Sequence, residues 1–390
     1  MLVTAGFFDK NAVAGLFYFS LFFCDLRLFV KRFGIFILCL FCFLGCARQR
    51  GHIVYRNSSR GNSNSTYMQT AEIAQDSTQE EAVRLSFAHN QTAMDNPYVF
   101  GAEAFREKLE QISSGNVKVD VFNGTMTEDE GELFKKLESG EASIVVVSPG
   151  FLTASVPEVD VFSLNYLFDN FAHWGAVLDG EFGKSLSDVV AQKTGGKVRI
   201  LGYWSAGVRD YYGKKPVYSP ADLNGMTIRI GSSPVQQQFW KACGAIPKSV
   251  GWGALYDALN RGEVDSAEND YTNFSLKNHH KTTNGKFVCE TEHDFTTRLM
   301  LVNGAFYDKL SAAQKKYLET ASQYATQIER QKTFEQASSS KNKVIADGAT
   351  VIENKDIDID SFKSIAIPIQ NEYAQKNGME RFIKLARDAH

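Results

Sequence analysis

Arg229 is the residue with the most pointed chemistry in this 390-residue chain, because of the run that holds it, Met226-Thr227-Ile228-Arg229-Ile230. The run reads as a short strand in which Ile228 and Ile230 share one face, so Arg229 must point to the other, toward water or a cleft. A guanidinium so placed presents parallel donors that match a carboxylate, a fit that lysine cannot reproduce. Other chemistries find little support. His89, His173, His279, His280 and His293 are scattered, and the body has no H-x-x-x-H or C-x-x-C spacing, which argues against a metal or other cofactor. Gly251-Trp252-Gly253 is a weak echo of a phosphate loop, and nothing resembles a nucleophile elbow. A thiol nucleophile at Cys243 is left open by the residues alone.

The elements that would position Arg229 are short and well punctuated. Pro234 opens a helix over Pro234–Ala242 and Gly244 stops it. A second strand, a second helix and a third strand ending at Glu268 and Asn269 follow. Earlier in the chain, strands over Val83–Ala88, Val117–Phe122 and Ile144–Val147 alternate with helices over Pro97–Ser113 and Glu128–Leu137. This β-α-β-α-β order predicts a mainly parallel sheet with helices on both faces. Ligands of such sheets bind beyond the carboxyl ends of strands, which nominates Asn90 and Ser148-Pro149. As a residue type alone, Asn90 reads equally as a turn or cap. Trp174 and Trp240 read as packing, and so does Trp204. Trp252 lies between Arg229 and Asn269 in the chain. Further on, a strand over Phe295–Val302 precedes a stripe of Ala313, Tyr317, Ala321 and Ile328, which predicts a helix of about 35 residues, about 50 Å long. A break at Ser338-Ser339-Ser340 is the alternative. Two last helices are expected over Ser361–Gln375 and Met379–Ala389.

The run L-x-G-M-x-I-R-I, then F-x-x-x-x-G-A-x-P, then W-x-x-x-Y-x-A-L-x-x-G-x-V-D-x-x-E-N resembles the signature of the extracytoplasmic solute receptors of TRAP transporters, the DctP-like family. Gly202-Tyr203-Trp204-Ser205-Ala206-Gly207-Val208-Arg209 is similar to that family's G-x-W-x-x-G-x-R element, Pro157-Glu158 lies upstream of it, and His293, Val302-Asn303 and Leu310-Ser311 follow downstream in the right order. The likeness runs from about Val83 to the C terminus. It implies a two-lobed α/β fold of the periplasmic-binding-protein kind, each lobe a mainly parallel sheet flanked by helices, with the long helix across both. Lobe I would hold residues 83–206 and 295–335, and lobe II residues 207–294 and 336–390. The function implied is capture of a small organic anion and its delivery to TRAP permease subunits in the membrane, without catalysis. A helical-repeat accessory protein is a further partner in some such systems. Carried over residue by residue, the resemblance makes Arg229 the main carboxylate clamp and Arg209 the second arginine. Asn269 and Trp252 would meet the solute from the same lobe, and Asn90, Glu130 and Ser148 from the other. Alanine stands at positions 206 and 254, where members commonly carry Asn and Glu, a loss of polarity that suits a monocarboxylate with an apolar tail. A sensor or scaffold without transport is the alternative role.

The N-terminal 45 residues are strongly apolar but interrupted by Asp25 and Arg27. Lys31-Arg32, the apolar run Phe33–Leu44 and then Leu44-Gly45-Cys46 read as a signal peptide, with a start expected near Leu28 or Val30. Leu-Gly-Cys resembles a lipobox, which would leave Cys46 as a lipidated N terminus in the periplasm, touching the membrane through its acyl chains alone. Residues 46–82 are rich in Ser, Asn, Gln and charge and read as a tether, on the order of 30 Å in reach. The first 45 residues hold four of the 42 basic and two of the 45 acidic side chains, so the body carries 38 against 43, a net −5. No basic field exists to recruit nucleic acid, and any anion must be held by local arginines. Only Cys243 and Cys289 fall in the body, and two lone buried thiols are expected in preference to a disulfide.

Overall fold

The structure is a computed structural model that describes residues 81–389 except Ser232. The leader, Cys46 and the tether lie outside the described residues. In chain order the elements are β1 (Val83–His89), α1 (Pro97–Ile112), β2 (Val117–Asn123), α2 (Glu130–Ser139), β3 (Ile144–Val147), α3 (Phe171–Asp179), α4 (Glu181–Lys193) and β4 (Val198–Gly213). There follow β5 (Thr227–Ile230), α5 (Pro234–Ala242), β6 (Ile246–Ser249), α6 (Leu255–Arg261), β7 (Ser266–Asn269), α7 (Tyr271–Leu276) and β8 (Phe287–Asn303). The chain closes with α8 (Gly304–Lys309), α9 (Ala312–Ala346), β9 (Thr350–Ile352), α10 (Ile359–Asn377) and α11 (Glu380–Asp388).

Local chemistry explains the boundaries. Pro97 sits in the first turn of α1, where a missing N–H is harmless, and Asn96 caps that turn by accepting from the Tyr98 N–H. Asp129 caps α2 in the same way, which places Glu130 at the first helical position, two residues later than periodicity suggests. Ser311 and Gln314 form a reciprocal capping box that starts α9. That helix then runs unbroken for 35 residues. The three serines 338–340 do not stop it, since serine is only a modest helix breaker in mid-helix.

The strands form one sheet in the order β2-β1-β3-β8-β4-β7-β5-β6, with β9 also against β8. The pairs β1–β2 and β1–β3 at one end are parallel, as are β5–β6 and β5–β7 at the other. Periodicity did not announce the middle. There β4 and β8, of 16 and 17 residues, pair antiparallel over nearly their whole length. The expected strand at Phe295–Val302 is only the second half of β8. Its last residues pair with β3, while the last residues of β4 pair with β7, so these two strands carry the sheet from one end to the other. Their register slips between Ser205 and Val208 and again between Arg209 and Tyr211.

Packing against the sheet follows from burial. Phe87, Phe105, Trp204 and Leu318 belong to one core under α1 and α9, and Trp174, Phe182, Phe239, Trp240 and Phe362 belong to another. Trp204 stacks on Phe87, with ring centroids 5.7 Å apart, and is fully buried, as expected of a packing residue. Helices α1 and α9 approach closely at Gly101. A Cβ there would lie 2.7 Å from the Trp204 ring and 2.9 Å from Glu329 Cβ. Cys243 and Cys289 are both buried and free. Among the described residues, no helix is long and apolar enough to cross a membrane.

Candidate functional site

The seven residues singled out above fall into two groups, each at strand ends. Asn90 follows β1, Ser148 follows β3, and Glu130 opens α2, so three segments far apart in the chain converge. Glu130 Oε2 accepts from the Ser148 N–H at 3.0 Å and from the Ser148 hydroxyl at 2.6 Å, and its Oε1 accepts from Asn90 Nδ2 at 3.3 Å. The sheet order puts β1 beside β3, which brings Asn90 and Ser148 to the same edge.

The second group forms where β4, β7 and β5 lie side by side. Register places Asp210 opposite Asn269 and Tyr211 opposite Glu268, which brings Arg209 against the end of β7. Arg209 donates from Nε and Nη2 to the two Glu268 carboxylate oxygens, from Nη2 again to the Glu268 carbonyl at 3.0 Å, and from Nη1 to Asn269 Oδ1 at 2.9 Å. Four of its five N–H donors are therefore committed to protein acceptors. Glu268 is buried, which alone would raise its pKa. The Arg209 charge and a contact of 3.4 Å from His293 Nε2 outweigh burial and hold it down at about 2. The Asn269 carbonyl is taken by Arg209 and the Asp270 N–H, while its amide NH2 has no acceptor among the described residues.

Arg229 differs. It is only 8 % exposed, and its Nε donates to the Val250 carbonyl at 2.9 Å, but Nη1 and Nη2 have no acceptor among the described residues. Burial lowers its pKa, Glu268 opposes that, and as an arginine it stays charged. Its guanidinium carbon lies 5.7 Å from the ring centroid of Trp252, a side chain 37 % exposed whose ring rests edge-on against His279. The opposition of Arg229 to the two isoleucines thus resolves in favour of a buried position over an indole.

Three further residues escaped sequence reasoning. Glu268 was read only as a strand end, Tyr98 only as part of a helix, and Arg298 was not considered. Strand alternation gave one usable signal. Thr296, Arg298 and Met300 share a face opposite Phe295, Thr297 and Leu299, so an arginine amid an apolar strand was visible. A cavity of about 140 Å³ is lined by Tyr98, Gln91, Asp270 and Arg298 among others. A larger cavity of about 500 Å³ is lined by Asp210, Glu290, Glu292 and Phe334, and neither cavity contains any of the seven expected residues. Among the described residues, no group of acidic, histidine or cysteine side chains could hold a metal.

With this geometry in view, comparison with known proteins is informative. The profile of the DctP family, bacterial extracellular solute-binding protein family 7, matches residues 87–377. The C4-dicarboxylate-binding periplasmic protein DctP of Rhodobacter capsulatus is 26 % identical over 308 residues, 77 % of this chain and 89 % of that protein. A TRAP periplasmic solute-binding protein of Citrobacter koseri, 26 % identical, superposes on 77 % of this chain in its open ligand-free form, covering 98 % of that structure with a TM-score of 0.69. With D-glucuronate bound it superposes on 79 % of this chain and 99 % of its own, with a TM-score of 0.65. A profile match spanning three quarters of the length, on a body with the matching fold and a long C-terminal helix, decides the matter: the chain belongs to the family 7 bacterial extracellular solute-binding proteins, which serve transporters as receptors and are not enzymes.

Proposed function

We propose that this chain captures a polyhydroxy carboxylate outside the cytoplasm and hands it to the membrane subunits of a TRAP transporter. The observation that carries this reading is the contrast in donor use. Arg229 keeps both terminal nitrogens open in a nearly buried position, whereas Arg209 is already neutralised by Glu268. A charged donor pair buried without acceptors is costly unless a ligand completes it. Asn90, Glu130 and Ser148 form a polar group better suited to hydroxyls than to the apolar tail expected from the alanines at 206 and 254. The named relatives support the class, one through C4-dicarboxylates and one through D-glucuronate.

Capture would proceed by closure of two lobes, residues 83–206 with 295–335 and residues 207–294 with 336–390. The register slips in β4 and β8 lie near the first of these boundaries, and on this reading they would provide the hinge while α9 would cross both lobes. Asn269 would donate its free amide to the solute, and Trp252 would form an apolar wall. In the periplasm the receptor would be tethered through a lipidated Cys46. Cys46→Ser should release the protein from membranes, and a variant that stays bound after leader removal argues against the anchor.

Calorimetric titration with D-glucuronate tests the central reading. Wild type should bind, and Arg229→Lys should weaken binding about 30-fold to several-thousand-fold, the equivalent of about 2–5 kcal/mol for an unpaired buried charge. Equal affinities would take Arg229 out of the site.

A further inference from the structure

The indole that faces Arg229 stands on a backbone that does little to hold it. Trp252 opens a one-turn 3-10 helix, Trp252–Ala254, and is flanked by Gly251 and Gly253. A Cβ built at either glycine would meet no atom within 4 Å beyond its chain neighbours, so neither is packed against the body. The indole N–H has no acceptor among the described residues. The ring meets the Arg229 guanidinium carbon at 5.7 Å and the His279 imidazole at 5.4 Å, the two rings inclined at 75°.

His279, by contrast, is fixed. It is 1 % exposed, its Nδ1 shares a hydrogen bond of 2.8 Å with the Tyr212 hydroxyl, and its ring stacks on the Tyr212 ring at 5.6 Å. Tyr212 is itself fully buried against Phe274, with centroids 4.6 Å apart. The His279 carbonyl accepts from the Thr282 N–H at 3.1 Å and from its hydroxyl at 2.6 Å, and a Cβ at Gly285 would lie 1.9 Å from the same oxygen. The next residue, His280, bonds to Asp347 at 3.0 Å, just past the end of α9. Burial, with the Arg229 charge adding to it, lowers the His279 pKa to about 4. The imidazole is therefore neutral near pH 7 and does not repel the guanidinium beyond the indole.

The loop that carries Trp252 also supplies the Val250 carbonyl, which accepts from Arg229 Nε at 2.9 Å. We infer that His279 is a positioning residue of the solute site, holding the Trp252 indole against Arg229 so that the open end of the guanidinium is oriented before the solute arrives. A fork already ordered loses less freedom when a carboxylate docks on it, which favours binding. This inference rests on Arg229 being the carboxylate clamp.

Two readouts test it. Trp174, Trp204 and Trp240 are fully buried and Trp252 is 37 % exposed, so acrylamide quenching of tryptophan emission reports on Trp252. Calorimetric titration with D-glucuronate reports on the site. His279→Asn keeps a polar partner for the Tyr212 hydroxyl and removes the ring. It should raise quenching in the ligand-free protein and weaken D-glucuronate binding by about 2-fold to 30-fold, the loss expected of Trp252→Ala itself. In a Trp252→Ala background the same substitution should change affinity by less than about twofold, because a residue that acts through the indole then has nothing left to hold. Joint Tyr212→Phe and His279→Phe substitution restores an aromatic edge without a stranded hydroxyl and should return affinity to within about threefold of wild type. Tyr212→Phe alone loses only the anchoring bond and should move both readouts the same way, by no more than about tenfold in affinity, which keeps the test decisive if His279→Asn does not fold. Unchanged quenching or unchanged affinity in the folded variants would overturn the positioning role. A loss that adds in full to that of Trp252→Ala would also overturn it, making His279 a general structural residue. If Arg229→Lys weakens binding and His279→Asn does not, the positioning role alone falls. If wild type does not bind D-glucuronate, or Arg229→Lys binds it equally well, the clamp reading falls and this inference with it.

Discussion

Arg209 and Arg229 sit two strands apart on one sheet, both mostly buried, yet the protein treats them oppositely. Arg209 faces a glutamate on the adjacent antiparallel strand and is satisfied in four of its five donors. Arg229 has a single backbone acceptor and an indole beneath it. The first is a structural cation, whose removal should be felt by the fold. The second is a cation in wait, whose removal should be felt by the solute. Residue type and motif position do not separate these roles, because both arginines stand in strand segments of the same resemblance. What separates them is whether a neighbour brings an acceptor.

The largest expected effect breaks the comparison on the Arg209 side. Glu268→Ala leaves a buried guanidinium that cannot shed its proton, so it should destabilise the protein by about 3–5 kcal/mol, read as a shift in the denaturant midpoint. Arg209→Met should cost less, because Glu268 can then take up a proton. If the order reverses, the pair is not held together by the permanence of the arginine charge. Arg229→Ala, by contrast, should leave the midpoint of the ligand-free protein close to wild type.

Acid sensitivity follows from the same pair. Glu268 has a folded pKa of about 2, below its ordinary value of 4.5, so the stability it contributes is present above about 4.5 and is lost as pH falls toward 2. Glu329 has the opposite sign. Its folded pKa of about 8 means that the folded state holds a proton the unfolded state has lost, so stability declines as pH rises from 4.5 to 8. Glu329→Gln should therefore flatten the melting-temperature profile between pH 5 and 8, and an unchanged slope would rule out Glu329 as its source.

A smaller effect sharpens the Arg229 side. Trp252→Ala removes the ring beneath the guanidinium and should weaken D-glucuronate binding by about 2-fold to 30-fold, given about 0.5–2 kcal/mol for a cation over an indole. An unaltered affinity would confine Trp252 to packing against His279. Smallest in signal is closure itself. Small-angle scattering should show a slightly smaller radius of gyration at saturating solute, as expected for a ligand that favours the closed form. Superimposable curves would favour the scaffold alternative over transport.

Much of this molecule was legible from residue order alone. Local rules set the helix ends that were read: Pro97 for the start of α1, Pro234 and Gly244 for the two ends of α5. The alternation around Arg229 was enough to turn it away from Ile228 and Ile230. These features depend on neighbours within about four residues, the range over which backbone geometry couples side chains. The partners were not legible. Glu268 meets Arg209 across 59 residues, and Glu130 meets Ser148 across 18, because strand order and register bring them together. The same is true of Arg298, whose ion pair with Glu130 at 3.7 Å joins β8 to the start of α2. A period of two assigns a side chain to a face of the sheet, but it does not say which strand lies alongside. Whether a buried arginine is paired or open is a property of that neighbour, and only the tertiary structure decides it.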